Sequence, residues 1–238
     1  MMAKEFDVIL PCYNPSKGWE KVVVDNYMDI SQRLPEVKIN LILVNDGSLR
    51  GFTEESVCYI KEKTGNVKVV SYAVNRGKGY AVREGVKNST SDDIIYSDYD
   101  FPYTTDSFVK VVKALSGGAD VVIAIRGVLS YQYRLPLFRK ILSFGSHLIN
   151  IIVFRIKVRD TQGGLKGIGK ASKPIFLSTT IDTFLFDTQF IYKATHAKNI
   201  RIETVKASIK PGITISSMGF KTMTREFKNV FKILTDHA

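Results

Sequence analysis

Two aspartates, Asp98 and Asp100, follow a short apolar run and carry the strongest chemical signal in the sequence. The run at 94–97 predicts a buried strand, and side chains two residues apart on a strand point to the same side. Both carboxylates can therefore reach one ligand, and at such close range they repel each other unless a cation lies between them. Oxygen ligands of this kind suit Mg²⁺ or Mn²⁺, which complete their coordination with water and substrate phosphates. An acidic, solvated turn is the alternative, because motifs this short are weakly specific.

The elements around this pair alternate between apolar and amphipathic segments. The helix predicted at 53–63 has Thr53 as its N-cap, and Pro11 is expected to stop the first strand. Apolar strands that alternate with amphipathic helices predict an α/β fold with a doubly wound, mostly parallel sheet. The predicted strands are 6–10, 39–44, 67–72, 94–97 and 121–125, and further predicted helices are 79–87 and 107–115.

Polar or glycine-rich residues follow each predicted strand. Parallel strands bring their carboxyl ends to one edge of the sheet, which is where open α/β sheets bind ligands. The sequence therefore predicts one ligand-binding rim, built from 11–14, 45–48, 75–79, 98–100 and Arg126.

Composition narrows the class of partner. The chain has 238 residues, 45% of them hydrophobic, and a formal net charge of +11. The positive excess lies mainly in the C-terminal half among aromatic and aliphatic residues, which favours an anionic membrane surface over nucleic acid. No zinc-finger, RNA-recognition or basic-zipper pattern is present. Two cysteines without metal or disulfide spacing, and an N-terminus without an apolar stretch, lead us to expect a cytoplasmic protein peripheral to the membrane.

Four rim motifs together resemble the nucleotide-sugar half of family 2 glycosyltransferases. They are 8–14 (VILPCYN), 44–48 (VNDGS), 75–79 (NRGKG) and 98–100 (DYD), in the order and spacing of that family. The resemblance implies a GT-A fold, a nucleoside diphosphate sugar as donor, and a divalent cation, Mg²⁺ or Mn²⁺. It also implies an inverting transfer of a hexose.

The same resemblance implies roles for individual rim residues. Asp98 and Asp100 would hold the metal, with Asp98 shared with the ribose, and Asp46 would accept the N3–H of a uracil base. The remaining nucleotide-sugar contacts would come from Pro11, Tyr13, Asn14, Gly77 and Lys78. For Lys78, a solvated turn lysine is an equal alternative.

Two motifs of the second half, 158–166 and 186–192, resemble the polyprenyl-phosphate branch of this family, the dolichyl-phosphate β-glucosyltransferases most of all. The likeness implies transfer of glucose from UDP-glucose to a polyprenyl phosphate at the cytoplasmic face of the membrane. Asp160 would belong to the catalytic residues, and Arg126, Arg139, Ser143 and Gln162 would bind the acceptor. The sequence departs from the branch at Gln189, where a carboxylate is expected.

We expect a GT-A domain at 1–210, with a nucleotide-sugar half at 1–127 and an acceptor half at 128–210. A basic amphipathic tail at 211–238 would lie on the membrane, pack on the domain or form a homodimer. One alternative acceptor is a glycan hydroxyl in surface polysaccharide synthesis, which would require a general base, with Asp160 and Asp187 as candidates. A different class of function is a non-catalytic basic module that binds membranes or nucleic acid.

Overall fold

A computed structural model describes residues 4–126, 156, 158, 160–212, 229, 230 and 233. Within them the chain forms one sheet in the order β3-β2-β1-β4-β6-β5-β7. Every strand pair in this sheet is parallel except those of β6, which runs antiparallel to both β4 and β5. The strands are β1 Lys4–Cys12, β2 Val37–Asp46, β3 Val67–Tyr72, β4 Asp93–Tyr96, β5 Val121–Arg126, β6 Lys166–Ile168 and β7 Ile202–Ala207.

Helices cover both faces of the sheet, as predicted for a doubly wound fold. One apolar core contains Val8 and Leu10 of β1 together with residues of α1, α2 and α4. A second core contains Ile9 of β1 with residues of α3, α5 and α6. This division follows from the alternation of side chains along a strand. The helices are α1 Trp19–Arg33, α2 Glu54–Thr64, α3 Lys78–Asn88, α4 Thr105–Ser116, α5 Lys173–Leu177 and α6 Phe186–His196.

Five predicted strands are present, and the predicted cap of α2 is confirmed. The Thr53 side chain accepts a hydrogen bond from the Ser56 backbone N–H at 3.2 Å. The prediction that Pro11 stops β1 was wrong, because Pro11 continues the parallel pairing opposite Val44. Pairing of β1 with β4 ends at Ile9, so Pro11 has a strand neighbour on one side only. A residue without an N–H is tolerated at such a half-open position.

Strands β6 and β7 were not predicted, yet they determine how the second half of the chain meets the first. The three residues of β6 lie between β4 and β5 and bring the segment from 160 onwards against the end of β4. The sheet is therefore continuous across the proposed boundary between 1–127 and 128–210, which stays a prediction.

Several predicted features fall outside the described residues. These include Arg139, Ser143 and most of the tail at 211–238. In that tail, Asn229, Val230 and Ile233 are helical, and Ile233 is buried. Among the helices that the structure describes, none combines the length and apolar character needed to cross a membrane.

Candidate active site

The two aspartates of the predicted metal motif lie directly beyond the end of β4. Oδ1 of Asp98 accepts a hydrogen bond from Nζ of Lys78. Asp100 lies at the surface, where desolvation by the surrounding protein atoms, and then the charge of Asp98, raise its pKa. A divalent cation between the two carboxylates would relieve this repulsion. The residues present therefore fit Mg²⁺ or Mn²⁺.

Such a cation would need ligands beyond the protein. Among the residues that the structure describes, no group of three or more His, Cys, Asp or Glu side chains is arranged to hold a metal ion. Mg²⁺ commonly binds through one or two carboxylates together with substrate phosphates and water. The arrangement at Asp98 and Asp100 matches that mode and not an all-protein cage.

Lys78 places a positive charge directly against this motif. It begins α3, and its ammonium group forms an ion pair with Asp98. Burial by itself would lower the pKa of Lys78, but Asp98, Asp187 and Asp100 outweigh that effect and raise it. Lys78 therefore stays charged and can neutralise a phosphate that binds beside Asp98.

Asp46 organises the loop between β3 and α3. Its buried carboxylate accepts hydrogen bonds from the Arg76 N–H at 2.7 Å, the Gly77 N–H at 3.0 Å and the Asn75 side-chain amide at 2.8 Å. Gly77 has φ 104°, and a Cβ there would lie 2.5 Å from the Asp182 carbonyl oxygen, so only glycine fits. A carboxylate has about four acceptor sites, so the nucleobase contact predicted for Asp46 stays a prediction beside this structural role.

The loop that follows β1 is hydrogen-bonded to the loop that follows β2. Asn14 adopts φ 44°, a left-handed conformation that asparagine tolerates. Its Oδ1 accepts hydrogen bonds from the backbone N–H groups of Leu49 at 2.8 Å and Arg50 at 3.2 Å. Neighbouring Tyr13 is 48% exposed, which leaves an aromatic ring at the rim with room to contact a nucleobase.

Two residues assigned separate roles in the sequence are partners in the structure. Nε of Arg126 donates to Oδ2 of Asp160 at 2.6 Å, and Nη2 donates to Oδ1 at 2.8 Å. Arg126 ends β5, so this bidentate pair fixes the segment that follows Asp160 to the sheet.

The loop after Asp160 touches the metal motif. The N–H of Gly164 donates to the hydroxyl of buried Tyr103 at 3.0 Å. A Cβ at Gly164 would lie 2.4 Å from Oδ2 of Asp98. The segment 158–166 thus lies against the metal motif 98–100, and only a glycine at position 164 leaves room for the Asp98 carboxylate.

Beneath this loop lies a buried ionic layer. Lys166 is 0% exposed, and its Nζ lies 2.7 Å from Oδ1 of Asp187. The same Nζ donates to the Gly163 carbonyl, and the Tyr96 hydroxyl donates to Asp187. Asp187, a candidate base for a hydroxyl acceptor, is therefore enclosed by protein groups and lies below the rim.

Other predicted or unusual residues have clear positions. Gln162 is exposed on the turn after Asp160. Gln189, where a carboxylate was expected, is buried, and its Oε1 accepts hydrogen bonds from the Thr180 and Ile181 N–H groups, each at 2.9 Å. Lys210 lies near Asp100, and its backbone N–H donates to the Pro102 carbonyl at 2.9 Å.

Sequence reasoning missed the roles of Lys166, Tyr103 and Gly164. A lysine within an otherwise apolar segment, LKGIG at 165–169, was the available signal for Lys166. Nothing in the sequence pairs it with a carboxylate on α6. The contacts of Tyr103 and Gly164 depend on β6 lying beside β4, which the sequence pattern did not predict.

Comparisons with known proteins show what the chain as a whole is similar to. The family model described as Glycosyl transferase family 2 matches residues 7–172, more than half of the chain. Dolichyl-phosphate beta-glucosyltransferase of Mus musculus is 27% identical over 208 residues, which cover 80% of this chain. Dolichol-phosphate mannosyltransferase of Pyrococcus furiosus is 23% identical over 198 residues, which cover 82% of this chain and 54% of the mannosyltransferase.

A solved structure shares the fold. Glucosyl-3-phosphoglycerate synthase from Mycobacterium tuberculosis, in complex with UDP, superposes with a TM-score of 0.63 at 15% identity, covering 97% of this chain and 79% of that one. The same enzyme has been solved with Mn²⁺, UDP-glucose and phosphoglyceric acid. The match to the mouse glucosyltransferase spans 63% of that relative's length.

Proposed function

The chain belongs to glycosyl transferase family 2, and on that premise we propose that it transfers a hexose, glucose from UDP-glucose, to a polyprenyl phosphate. The transfer inverts the anomeric centre and uses Mg²⁺ or Mn²⁺. One observation carries the proposal: Asp98, Asp100 and Lys78 meet at the rim where open α/β sheets bind ligands. The likeness to the dolichyl-phosphate glucosyltransferase over 80% of the chain supports the acceptor class.

The nucleotide-sugar half places positive charge where the leaving group develops negative charge. Cleavage of the anomeric C–O bond releases a nucleoside diphosphate, and a divalent cation supplies Lewis-acid stabilisation of that charge when bound. Lys78 adds a positive charge beside Asp98, which favours the transition state over the less charged ground state. The loop held by Asp46 and the ring of Tyr13 bind and orient the nucleoside.

The acceptor half favours a phosphate over a sugar hydroxyl. A sugar hydroxyl requires a general base, whereas a phosphate monoester is already ionised near neutral pH. Both carboxylate oxygens of Asp160 bind Arg126, and Asp187 is buried against Lys166. These two carboxylates, the candidate bases of the sequence, are thus engaged with cations. Arg126 and Arg139 would contribute positive charge to the acceptor phosphate, and Ser143 and Gln162 would donate hydrogen bonds to it.

The lipid acceptor places the proposed reaction at a membrane surface. A net charge of +11 provides attraction to anionic headgroups. We therefore propose that the protein works as a peripheral protein at the cytoplasmic face. The amphipathic tail at 211–238 would supply the contact.

An assay with radiolabelled UDP-glucose, Mn²⁺ and a short-chain polyprenyl phosphate tests the proposal directly. We expect a labelled lipid product that mild acid hydrolyses, no product in EDTA, and loss of product with Asp100→Asn. Asp92→Asn is the matched control, because Asp92 is exposed, precedes β4 and pairs with Lys170 away from the rim.

Three outcomes would contradict the proposal. An acid-stable product would point to a glycan hydroxyl acceptor. Turnover that survives EDTA would remove the metal from the mechanism. Absence of any UDP-glucose binding would favour a non-catalytic module.

A further inference from the structure

Lys166 and Asp187 form an ion pair directly beneath the donor site, with both side chains withdrawn from solvent. On the basis of the proposed function, we propose that Lys166 is a positioning residue for the diphosphate of the donor. By neutralising Asp187, it leaves Lys78 paired with Asp98 and so keeps a positive charge where the diphosphate binds.

The depth of the pair argues for a role other than stability. The side chains of Lys166 and Asp187 are 0% and 4% exposed. Removing two charges from water is expensive, and well-packed apolar residues often replace such a pair with no loss of stability or with a gain. Burial lowers the pKa of Lys166, and contact with Asp187 opposes that change. The layer is therefore costly to maintain.

The charges of three carboxylates act on Lys78, and Asp98 and Asp187 are the two that come before Asp100 in strength. Asp98 accepts its hydrogen bond, and the charge of Asp187 also acts on it. With Lys166 in place, Asp187 has its own counter-ion at 2.7 Å and a hydrogen bond from the Tyr96 hydroxyl. Lys78 is therefore not needed at Asp187 and remains with Asp98.

Lys166 is itself held rigidly. It is the first residue of β6 and pairs with Tyr96 of β4 on one side and with Ile123 of β5 on the other. Its Nζ also donates to the Gly163 carbonyl. A positioning group on a central strand keeps its geometry better than one on a loop.

Loss of the lysine charge has a definite consequence. Lys166→Met would leave Asp187 buried without a counter-ion, which is a strongly unfavourable state. Lys78 already interacts with Asp187 and is the cation placed to relieve it. Movement of Lys78 towards Asp187 would withdraw its charge from the diphosphate.

The test is calorimetric binding of UDP in the presence of Mn²⁺ to the full chain and its variants. Lys166→Met should weaken UDP binding roughly 10- to 100-fold, the range seen when supporting residues around a metal site are removed. In a Lys78→Met background, Lys166→Met should have little further effect, because it acts through Lys78. Lys166→Met with Asp187→Asn should restore binding to within about threefold of wild type, because no carboxylate then competes for Lys78.

A structural role for the pair predicts a different pattern. The double variant would then bind UDP as weakly as Lys166→Met, and the loss would persist in the Lys78→Met background. Either result, or unchanged UDP binding by Lys166→Met, overturns the inference. Circular dichroism and thermal melts establish that each variant is folded, and Lys170→Met serves as the control because Lys170 is exposed and pairs with Asp92. Wild-type protein that binds no UDP would instead overturn the proposed function, and the inference that rests on it.

Discussion

Arg126 and Asp160 bind each other through two parallel hydrogen bonds, 2.6 Å from Nε to Oδ2 and 2.8 Å from Nη2 to Oδ1. This fork geometry joins the end of β5 to the start of the loop that reaches the metal motif. A residue expected to bind the acceptor and a residue expected to take part in catalysis therefore act as one unit. The pair orients the loop that follows Asp160 and the guanidinium group of Arg126, and both carboxylate oxygens of Asp160 are hydrogen-bonded.

Asp160→Asn should lower kcat/KM without changing the shape of the pH–rate profile. An amide keeps one hydrogen bond to Arg126 but loses the charge-assisted pair, so positioning suffers. A general base would instead contribute a limb to that profile, which its removal would abolish. Initial rates between about pH 5 and 9 decide between the two roles. Loss of the ascending limb on the acid side of the profile in the variant would restore Asp160 as a base.

The raised pKa of Asp100 gives metal binding a predictable pH dependence. The folded protein keeps the Asp100 proton to higher pH than the unfolded chain, so Mn²⁺ must displace a proton in the window above the usual aspartate pKa. Mn²⁺ affinity should therefore rise with pH over a window that begins near the usual aspartate pKa of about 4 and extends above it. Asp100→Asn should remove most of that rise in a titration followed by electron paramagnetic resonance.

The raised pKa of Asp100 also makes the stability of the metal-free protein depend on pH, but stability falls with pH whereas Mn²⁺ affinity rises. In that window the native state binds more protons than the unfolded state, so the contribution of Asp100 to stability falls as pH rises. Metal-free Asp100→Asn should thus be no less stable than wild type at pH 7, as measured by urea unfolding. A marked destabilisation would show that Asp100 has a structural partner.

Gly164→Ala should damage the donor site out of proportion to its size. The added methyl group would lie 2.4 Å from Oδ2 of Asp98, so either the carboxylate or the loop must move. We expect a stability loss of about 1–3 kcal/mol from this overpacking, together with weaker UDP binding in Mn²⁺. Gly117→Ala is the matched control, since its Cβ would meet only ordinary contacts from 3.4 Å. Equal UDP affinity in both variants would contradict the prediction.

Asp46→Asn should loosen the loop that follows β3. One carboxylate oxygen accepts from the Arg76 N–H, and the other accepts from Asn75 and Gly77. An amide NH₂ must replace one of these acceptors, so at least one donor loses its partner, at a cost of about 1–3 kcal/mol. Urea unfolding at pH 7 measures this, with Asp92→Asn as the exposed control. Stability equal to wild type would show that the three hydrogen bonds contribute little.

The two cysteines should differ sharply in reactivity. Cys12 is buried in the core, and desolvation raises the pKa of its thiol well above the usual range, whereas Cys58 is exposed on α2. A native protein should therefore release one equivalent of thionitrobenzoate rapidly with a disulfide reagent, and the second only after denaturation. Rapid reaction of both thiols would contradict the packing of β1.

The nucleotide half of the fold was predictable because its pattern is local. Strands β1 to β5 are runs of β-branched and aliphatic residues, each followed by polar residues. Thr53 is an N-cap residue that marks the start of α2. The rim followed from the rule that ligands bind where parallel strands end. The structure places Asp46, Lys78 and Asp98 there: Asp46 accepts a hydrogen bond from the Gly77 N–H, and the next residue, Lys78, pairs with Asp98.

The remainder depended on contacts between distant segments. Strand β6 has three residues, fewer than a period-two pattern needs to be recognised. In β7 the apolar residues Ile202 and Val205 are three apart and lie on opposite faces of the sheet, so the sequence IETVKA lacks the strict alternation that identifies a half-buried strand. The partners of Lys166 and Gly164 lie on α6 and beyond β4, so only the folded sheet brings them together.

The late position of β6 in the chain shapes how the protein is made. Strands β4 and β5 are both synthesised before the strand that joins them, so their facing edges stay unpaired until residue 168 has emerged from the ribosome. At typical elongation rates this interval lasts roughly 2 to 8 seconds. Unpaired strand edges recruit other chains, and chaperone demand should therefore peak after β5 has emerged from the ribosome and before β6 has emerged.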